Sequence, residues 1–347
     1  MVRAELAISA AILLGSGFLL LISPRLFGYW LMEDLPPEWF EFFCLALGAG
    51  LWGKATAARW RSRAWLGLLL CAGMAALCAF VAGEEISWGQ RIVGYQTPTY
   101  FSERNVQHEV TIHNLARQLV EPRRLAMLIM VVYGILVPVL AWLVKPLKLL
   151  ANRLGVPVPN LGAVVCSGLA VWLMNQPFTA TDDEVGEVFF CLGLLFAGFT
   201  ATGLTSGRTL LRAVAGLGAV SLAVSGLCFV RPAHRHQVFN VGHLKAAQAF
   251  EGRGMRWEAA REYEDLARHW KTDWELWIRV IGMYYEEGDL AKAFDLSAEF
   301  IQTTRREWRP FEVIAEIGLT KGMQAGARRL LRAVLVDEPY NDYARWA

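Results

Sequence analysis

The chain has 347 residues, a formal net charge of +2 and 55% hydrophobic residues, with a mean hydropathy of +0.32. That is too apolar for an ordinary soluble protein. A charge this small, with no basic stripe interleaved with aromatics, argues against a nucleic-acid partner. The six cysteines, Cys44, Cys71, Cys78, Cys166, Cys191 and Cys228, all fall inside apolar runs. They read as small buried hydrophobes rather than a disulfide framework or a thiolate cluster.

The apolar excess is confined to roughly residues 1–230, whereas 240–347 is charged and amphipathic. This implies two regions in two solvents: a membrane domain over 1–235 and a helical domain over 240–347. Crossing the hydrocarbon core takes roughly 20 mostly apolar residues. About seven stretches come close: 6–23, 39–57, 64–83, 125–144, 161–177, 185–203 and 209–230. The first is longer than a signal-peptide core and lacks a small-x-small cleavage site, so it reads as a retained span. No strand alternation occurs, and a helical bundle is expected rather than a barrel. The predicted fold class is all-α.

Three short connections are basic and contain no acid. Lys54, Arg59, Arg61 and Arg63 lie between spans two and three; Lys145, Lys148 and Arg153 lie between four and five; Arg208 and Arg212 flank the turn between six and seven. The positive-inside rule puts all three, and the N-terminus, in the cytoplasm of an inner (cytoplasmic) membrane. An odd span count then puts the C-terminal domain in the periplasm. Arg123 and Arg124, at the outer end of span four, run against this assignment. Acidic residues gather on the outer side: Glu33, Asp34, Glu38 and Glu41 before span two, Glu84 and Glu85 after span three, Asp182, Asp183, Glu184 and Glu187 before span six. Spans two and six also share the string FFCL, each just after two carboxylates three residues apart. That echo fits either an internal duplication or chance in low-diversity sequence.

The segment 84–124 is the richest in reactive groups. From Ser102, a suitable N-cap, FSERNVQHEVTIHNLARQLV reads as an amphipathic interfacial helix ended by Glu121-Pro122. Asn105, Glu109 and His113 recur every four residues on it and share a face. Glu109 and His113 at that spacing aim at a common point and could hold one divalent metal ion, with Glu84 or Glu85 as third ligand. Carboxylates bordering hydrocarbon are costly unless paired or functional. Glu84, Glu85, Glu109 and His113 are therefore the candidate catalytic groups, surrounded by Ser87, Gln90, Asn105, Gln107, Asn114, Asp182 and Glu187. The plainer alternative is a solvated helix face beside carboxylates that only end span three. GEEISWGQ with the following N-x-Q-x-E-x-x-x-H-N resembles bacterial multi-pass membrane proteins to which no function attaches. The acid, serine and histidine near one membrane face are also similar to intramembrane metal hydrolases of the alkaline ceramidase type. Those need histidines on several spans, and here only His108 and His113 precede the last span.

In the C-terminal domain Gly254, Gly288 and Gly322 recur every 34 residues, and so do Ala259, Ala293 and Ala327. With Trp277, Tyr284, Gly288, Asp289 and Ala293 in the middle repeat, this resembles the tetratricopeptide (TPR) family. Ala247, Phe250 and Tyr263 support the first repeat, Ala315 and Pro339 the third; Ile281 and Gly318 depart from the pattern. The resemblance implies an α-solenoid whose groove is lined by Gln248, Glu251, Ile278, Tyr285, Glu286, Glu312 and Glu316. An acidic, partly aromatic groove suits a basic or extended peptide from a protein partner. Two functions stand: a membrane protein recruiting a partner in envelope assembly or export, or a membrane enzyme using the outer-face cluster on a lipid or lipid-linked substrate.

Overall fold

The computed structural model describes residues 1–32, 35–93, 95–104, 110–112, 121–175, 182–228, 232–270, 273–303, 310–312, 314–315, 324–337, 341 and 345, and among these no residue is in a strand. Before the last connection the helices are α1 (Val2–Ile22), α2 (Pro24–Trp30), α3 (Pro36–Ser62), α4 (Trp65–Glu85), the short α5 (Gln90–Val93) and α6 (Thr99–Arg104), α7 (Pro122–Leu143), α8 (Lys145–Arg153), α9 (Leu161–Asn175), α10 (Asp182–Ala201) and α11 (Gly207–Cys228). After it come α12 (Pro232–Gly252), α13 (Arg256–His269), α14 (Trp274–Glu286), α15 (Leu290–Thr303) and α16 (Gln324–Asp337). The chain divides into two compact units, Met1–Ser23 with Trp30–Arg235, and Pro24–Tyr29 with His236–Ala347.

In the first unit five helices are long and apolar enough to cross a bilayer: α1, α4, α7, α10 and α11. This is the makeup of a multi-pass membrane protein. α3 is long, but Lys54, Arg59 and Arg61 lie in its second half; α9 has only 15 residues. α10 is the hub. Of its apolar stretch 83% is buried by protein, against 17% to 28% in the other four, and α3 and α9 are its main neighbours. Trp52 Nε1 of α3 donates to the Leu194 carbonyl of α10 at 3.1 Å. Small residues set the closest approaches, as expected where van der Waals packing rather than solvent drives association. A Cβ on Gly134 of α7 would lie 2.2 Å from Ser167 Oγ of α9. Residues 130–136 of α7 form a π-helical turn that ends one residue short of Pro138, which has no N–H to give the Gly134 carbonyl.

One end of this unit is tied together by Arg59. Its Nη1 donates to the Ala201 carbonyl at the end of α10 at 2.7 Å, and its Nε donates to the Gly155 carbonyl after α8 at 3.2 Å. Gly67 at the start of α4 donates its N–H to the Leu154 carbonyl at 3.0 Å. Gly155 makes this possible twice over: its φ is +70, and the space that a Gly67 side chain would need is filled by its carbonyl, 2.1 Å away. The α3–α4, α8–α9 and α10–α11 connections therefore meet at one end. Arg123 and Arg124 lie elsewhere, each against an acid: Arg123 Nη2 is 3.8 Å from Asp183 Oδ2, and Arg124 Nε is 2.6 Å from Glu121 Oε2. Their charge is locally offset.

The second unit is built from helical hairpins. Gly254 between α12 and α13 and Gly288 between α14 and α15 have φ of +71 and +85, a region that side chains disfavour. Asp273 caps α14 by accepting from Leu276 N at 3.1 Å; Asp289 does the same for Lys292 N in α15 at 3.1 Å. Ala247, Ala259, Tyr263, Trp277, Ile281, Tyr284 and Ala293 form one buried core, with Trp277 stacked on Phe300. A second core joins Ile301, Phe311, Ile314, Ala327, Leu331 and Val334. Gly318, Gly322 and Pro339 lie outside the described residues. α2 belongs to this unit although it comes directly after α1. A Cβ on its Gly28 would lie 2.5 Å from Ala246 N of α12. Arg25 Nε is 3.1 Å from Glu262 Oε1, whose other oxygen is 2.7 Å from Nδ1 of the buried His243.

Arg59→Ala removes charge-assisted hydrogen bonds to carbonyls at two connections and is expected to cost about 2 kcal/mol. Arg59→Lys is expected to recover only part of it, since an ammonium lacks the guanidinium fork. Thermal unfolding of the detergent-solubilised protein checks both; an unchanged midpoint for Arg59→Ala would show that the clasp is idle.

Candidate functional site

The end of the first unit that carries the α3 and α10 N-termini and the α4 C-terminus is acidic. α3 buries Trp39, Glu41, Cys44, Leu45, Gly48, Leu51, Trp52 and Ala55. Apart from Trp39 these recur at helical spacing, so Glu41 opens the inward-facing stripe. It is 3% exposed and lies within electrostatic range of Glu85 on α4, Glu187 and Glu184 on α10, and Glu38 one turn earlier on α3. Below it Cys44 and Cys191 are also buried. The two copies of the FFCL echo therefore pack against one another through α3 and α10, and each brings its pair of carboxylates to the same place. A buried carboxylate among others is costly unless a donor, a cation or a proton meets it. Such a group of carboxylates can hold a proton.

The GEEISWGQ stretch forms a tight reversal beside this cluster. Ser87, Trp88 and Gly89 have φ of 48, 53 and 90, three consecutive left-handed residues, two of which carry side chains. Trp88 folds back onto α4: a Cβ on Gly83 would meet its ring at 3.1 Å, it meets Phe80 edge-on, and its Nε1 donates to Glu84 Oε1. Gln90 fastens the chain beyond it. Its Nε2 donates to Thr97 Oγ1 at 2.6 Å, and its Oε1 accepts from Val110 N at 2.9 Å. Among the predicted site residues, Glu85 and Glu187 thus join Glu41, while Glu84 and Gln90 hold the reversal and Ser87 is buried within it. Asp182 starts α10, but its side chain is not among those described. Asn105, Gln107, Glu109, His113 and Asn114 lie outside the described residues, and so does the pairing of Glu109 with His113 as metal ligands. Among the described residues no three His, Cys, Asp or Glu side chains converge as a metal site. Glu41 was legible only as one of several acids; its place on the buried stripe was the signal for it.

In the second unit Gln248, Ile278, Tyr285 and Glu312 are half-buried, and Tyr285 packs against the core. Glu251 is engaged: its Oε2 is 2.6 Å from Arg279 Nη2 and accepts from Tyr263 Oη at 3.0 Å. Arg279 also lies 4.7 Å over the Tyr263 ring, a cation–π arrangement. Glu286 pairs with Arg256. Glu316 lies outside the described residues. No family model matches the chain, and no match is found among curated proteins or solved structures.

Gly89 and the two buried tyrosines each give this geometry a test. A Cβ on Gly89 would meet nothing within 4 Å, so Gly89→Ala adds conformational strain alone. It should lower stability by about 1 kcal/mol, read as a drop in the unfolding midpoint; no drop would mean that the reversal relaxes freely. Burial raises the phenols of Tyr263 and Tyr284, helped at Tyr263 by the charge of Glu251 and opposed by Arg279, and helped at Tyr284 by its hydrogen bond to Glu264. The folded state then holds these protons more tightly than the unfolded chain, where tyrosine titrates near ~10. Their contribution is complete below pH ~10 and is lost as pH rises above it. Unfolding midpoints between neutral and strongly alkaline pH should fall less steeply in a Tyr263→Phe/Tyr284→Phe variant than in wild type; equal slopes would refute the assignment.

Proposed function

We propose that this chain is a polytopic inner-membrane protein that displays a TPR-type module in the periplasm and recruits a protein partner there, in envelope assembly or export. The observation that carries the reading is the second unit's run of hairpins with glycines at positive φ 34 residues apart and Trp277, Tyr284 and Ala293 in the core. Stacked hairpins of this kind present extended surfaces for peptides. Glu251 and Glu286 already have arginine partners. The segment received is therefore extended and partly apolar, to suit Ile278 and Tyr285, rather than defined by positive charge.

The meeting of three basic connections at the Arg59 end supports a cytoplasmic assignment for that end and for the N-terminus. With α3 and α9 counted as spans the total is seven; without them it is five. Only the count of seven keeps the three basic connections on one side, since without α3 and α9 the α10–α11 connection falls opposite the other two; being odd, it puts the C-terminal module opposite the N-terminus. The membership of α2 in the second unit agrees, because an even number of crossings, six, then separates α2 from α12. A periplasmic reporter fused after Ala347 is expected to be active and a cytoplasmic one silent. The reverse pattern would refute the orientation. Deleting residues 240–347 should abolish function in cells and leave the membrane part inserted.

A second reading is favoured by the carboxylates around Glu41: an enzyme acting on a lipid or lipid-linked substrate at the outer face, with Glu109 and His113 holding a divalent metal ion. Glu41→Gln with Glu187→Gln, and separately Glu109→Ala with His113→Ala, should then be inactive yet normally inserted, and the purified protein should contain metal. Variants that work like wild type beside a null deletion of 240–347 would remove this reading and leave the first.

A further inference from the structure

α8 is short, basic and uncovered. None of its residues is buried. Its wheel puts Leu147, Leu150, Ala151 and the adjoining Leu154 on one side, at a spacing of three to four residues, and Lys145, Lys148, Asn152 and Arg153, with Leu149 among them, on the other. Leu147 and Leu150 are 39% and 50% exposed, a large apolar area for a helix that would face only water. Two features say what covers it. Leu136, Leu140 and Leu143 on α7 are exposed as well, and α7 is long and apolar enough to cross a bilayer. The leucine face of α8 therefore continues a lipid-facing surface after a single extended residue, Val144. The cations have no acid nearby in sequence, since no Asp or Glu occurs between Glu121 and Asp182. The far end is pinned by Gly67 N to the Leu154 carbonyl and by Arg59 Nε to the Gly155 carbonyl, so α8 cannot swing away from the Arg59 end.

We infer that α8 lies flat in the inner leaflet's interface, its leucines in the acyl boundary and Lys145, Lys148 and Arg153 on the headgroups of anionic phospholipids. This rests on the membrane orientation proposed for the chain. Amphipathic helices bind interfaces through buried apolar area plus attraction to anionic lipid, and each cation near such a surface is worth several-fold in affinity.

The full-length protein in mild detergent is titrated with phosphatidylglycerol or phosphatidylcholine, and retained lipid is read by native mass spectrometry. Wild type should keep phosphatidylglycerol roughly tenfold better, and K145Q/K148Q/R153Q should lose that preference. An unchanged preference in the triple variant overturns the inference. All three side chains lie on a helix without buried residues, so the variant is expected to fold; a second measurement covers the case that it does not. Single cysteines at Leu150 and Asn152 are labelled in membrane vesicles with an impermeant maleimide, against native cysteines that are buried or half-buried. Asn152→Cys should react at least roughly ten times faster than Leu150→Cys; equal rates overturn the inference. Reaction only in inside-out vesicles supports the inner leaflet. Reaction only in right-side-out vesicles would overturn that leaflet and the proposed orientation, a failure that the rate comparison does not share.

Discussion

Hydrocarbon tolerates few charges, so a bundle of spans must move its ionisable groups to its two ends, and the first unit is organised by that demand. At one end Arg59 binds carbonyls from two connections that are far apart in sequence. Its guanidinium supplies several donors from one rigid plane, which suits it to helix ends whose carbonyls lack partners. The same end collects the basic residues of the connections. At the other end carboxylates from α3, α4 and α10 lie within electrostatic range of Glu41. The helices between carry almost no charge, and their contacts come from glycines, alanines and cysteines with aromatic side chains set between them.

This polarity accounts for details that are odd in isolation. Arg123 and Arg124 violate the expected charge bias by position, yet each stands against an acid, so neither adds a net positive charge to its end. The GEEISWGQ stretch looks like a string of reactive groups, yet much of it makes a reversal: a glycine seats an indole, the indole binds a carboxylate, and a glutamine fastens the next segment of chain. Left-handed Ser87 and Trp88 beside a carboxylate cluster are a combination often found where chemistry or binding takes place.

Much of this could be read from local pattern. Apolar length, basic turns and the FFCL echo are properties of short windows, and the 34-residue glycine spacing is a property of one repeat. The shared end of the three basic connections comes from counting crossings. Other features depend on partners distant in sequence and left no local trace. The burial of α10 could not be inferred from its composition, which is no more apolar than that of its neighbours. Glu41 differs from Glu38 only in the helix face that it occupies. Glu251 and Glu286 read as an open acidic lining until Arg279 and Arg256, which belong to other helices, are placed beside them. Glu109 and His113 lie outside the described residues.

The least expected of these features is α2. Six residues after the first span, Pro24–Tyr29, belong to the helical module, where glycine contact with the Ala246 backbone and an arginine on Glu262 seat them. A soluble fragment starting at residue 236 would therefore be an incomplete fold: the strip of α12 under Gly28 would be stripped to water, and Glu262 would keep His243 but lose its cation. Affinities or melting curves measured on such a fragment would describe a damaged domain. Supplying residues 24–30 as a separate peptide, or joining them through a linker ahead of α12, would restore the missing piece.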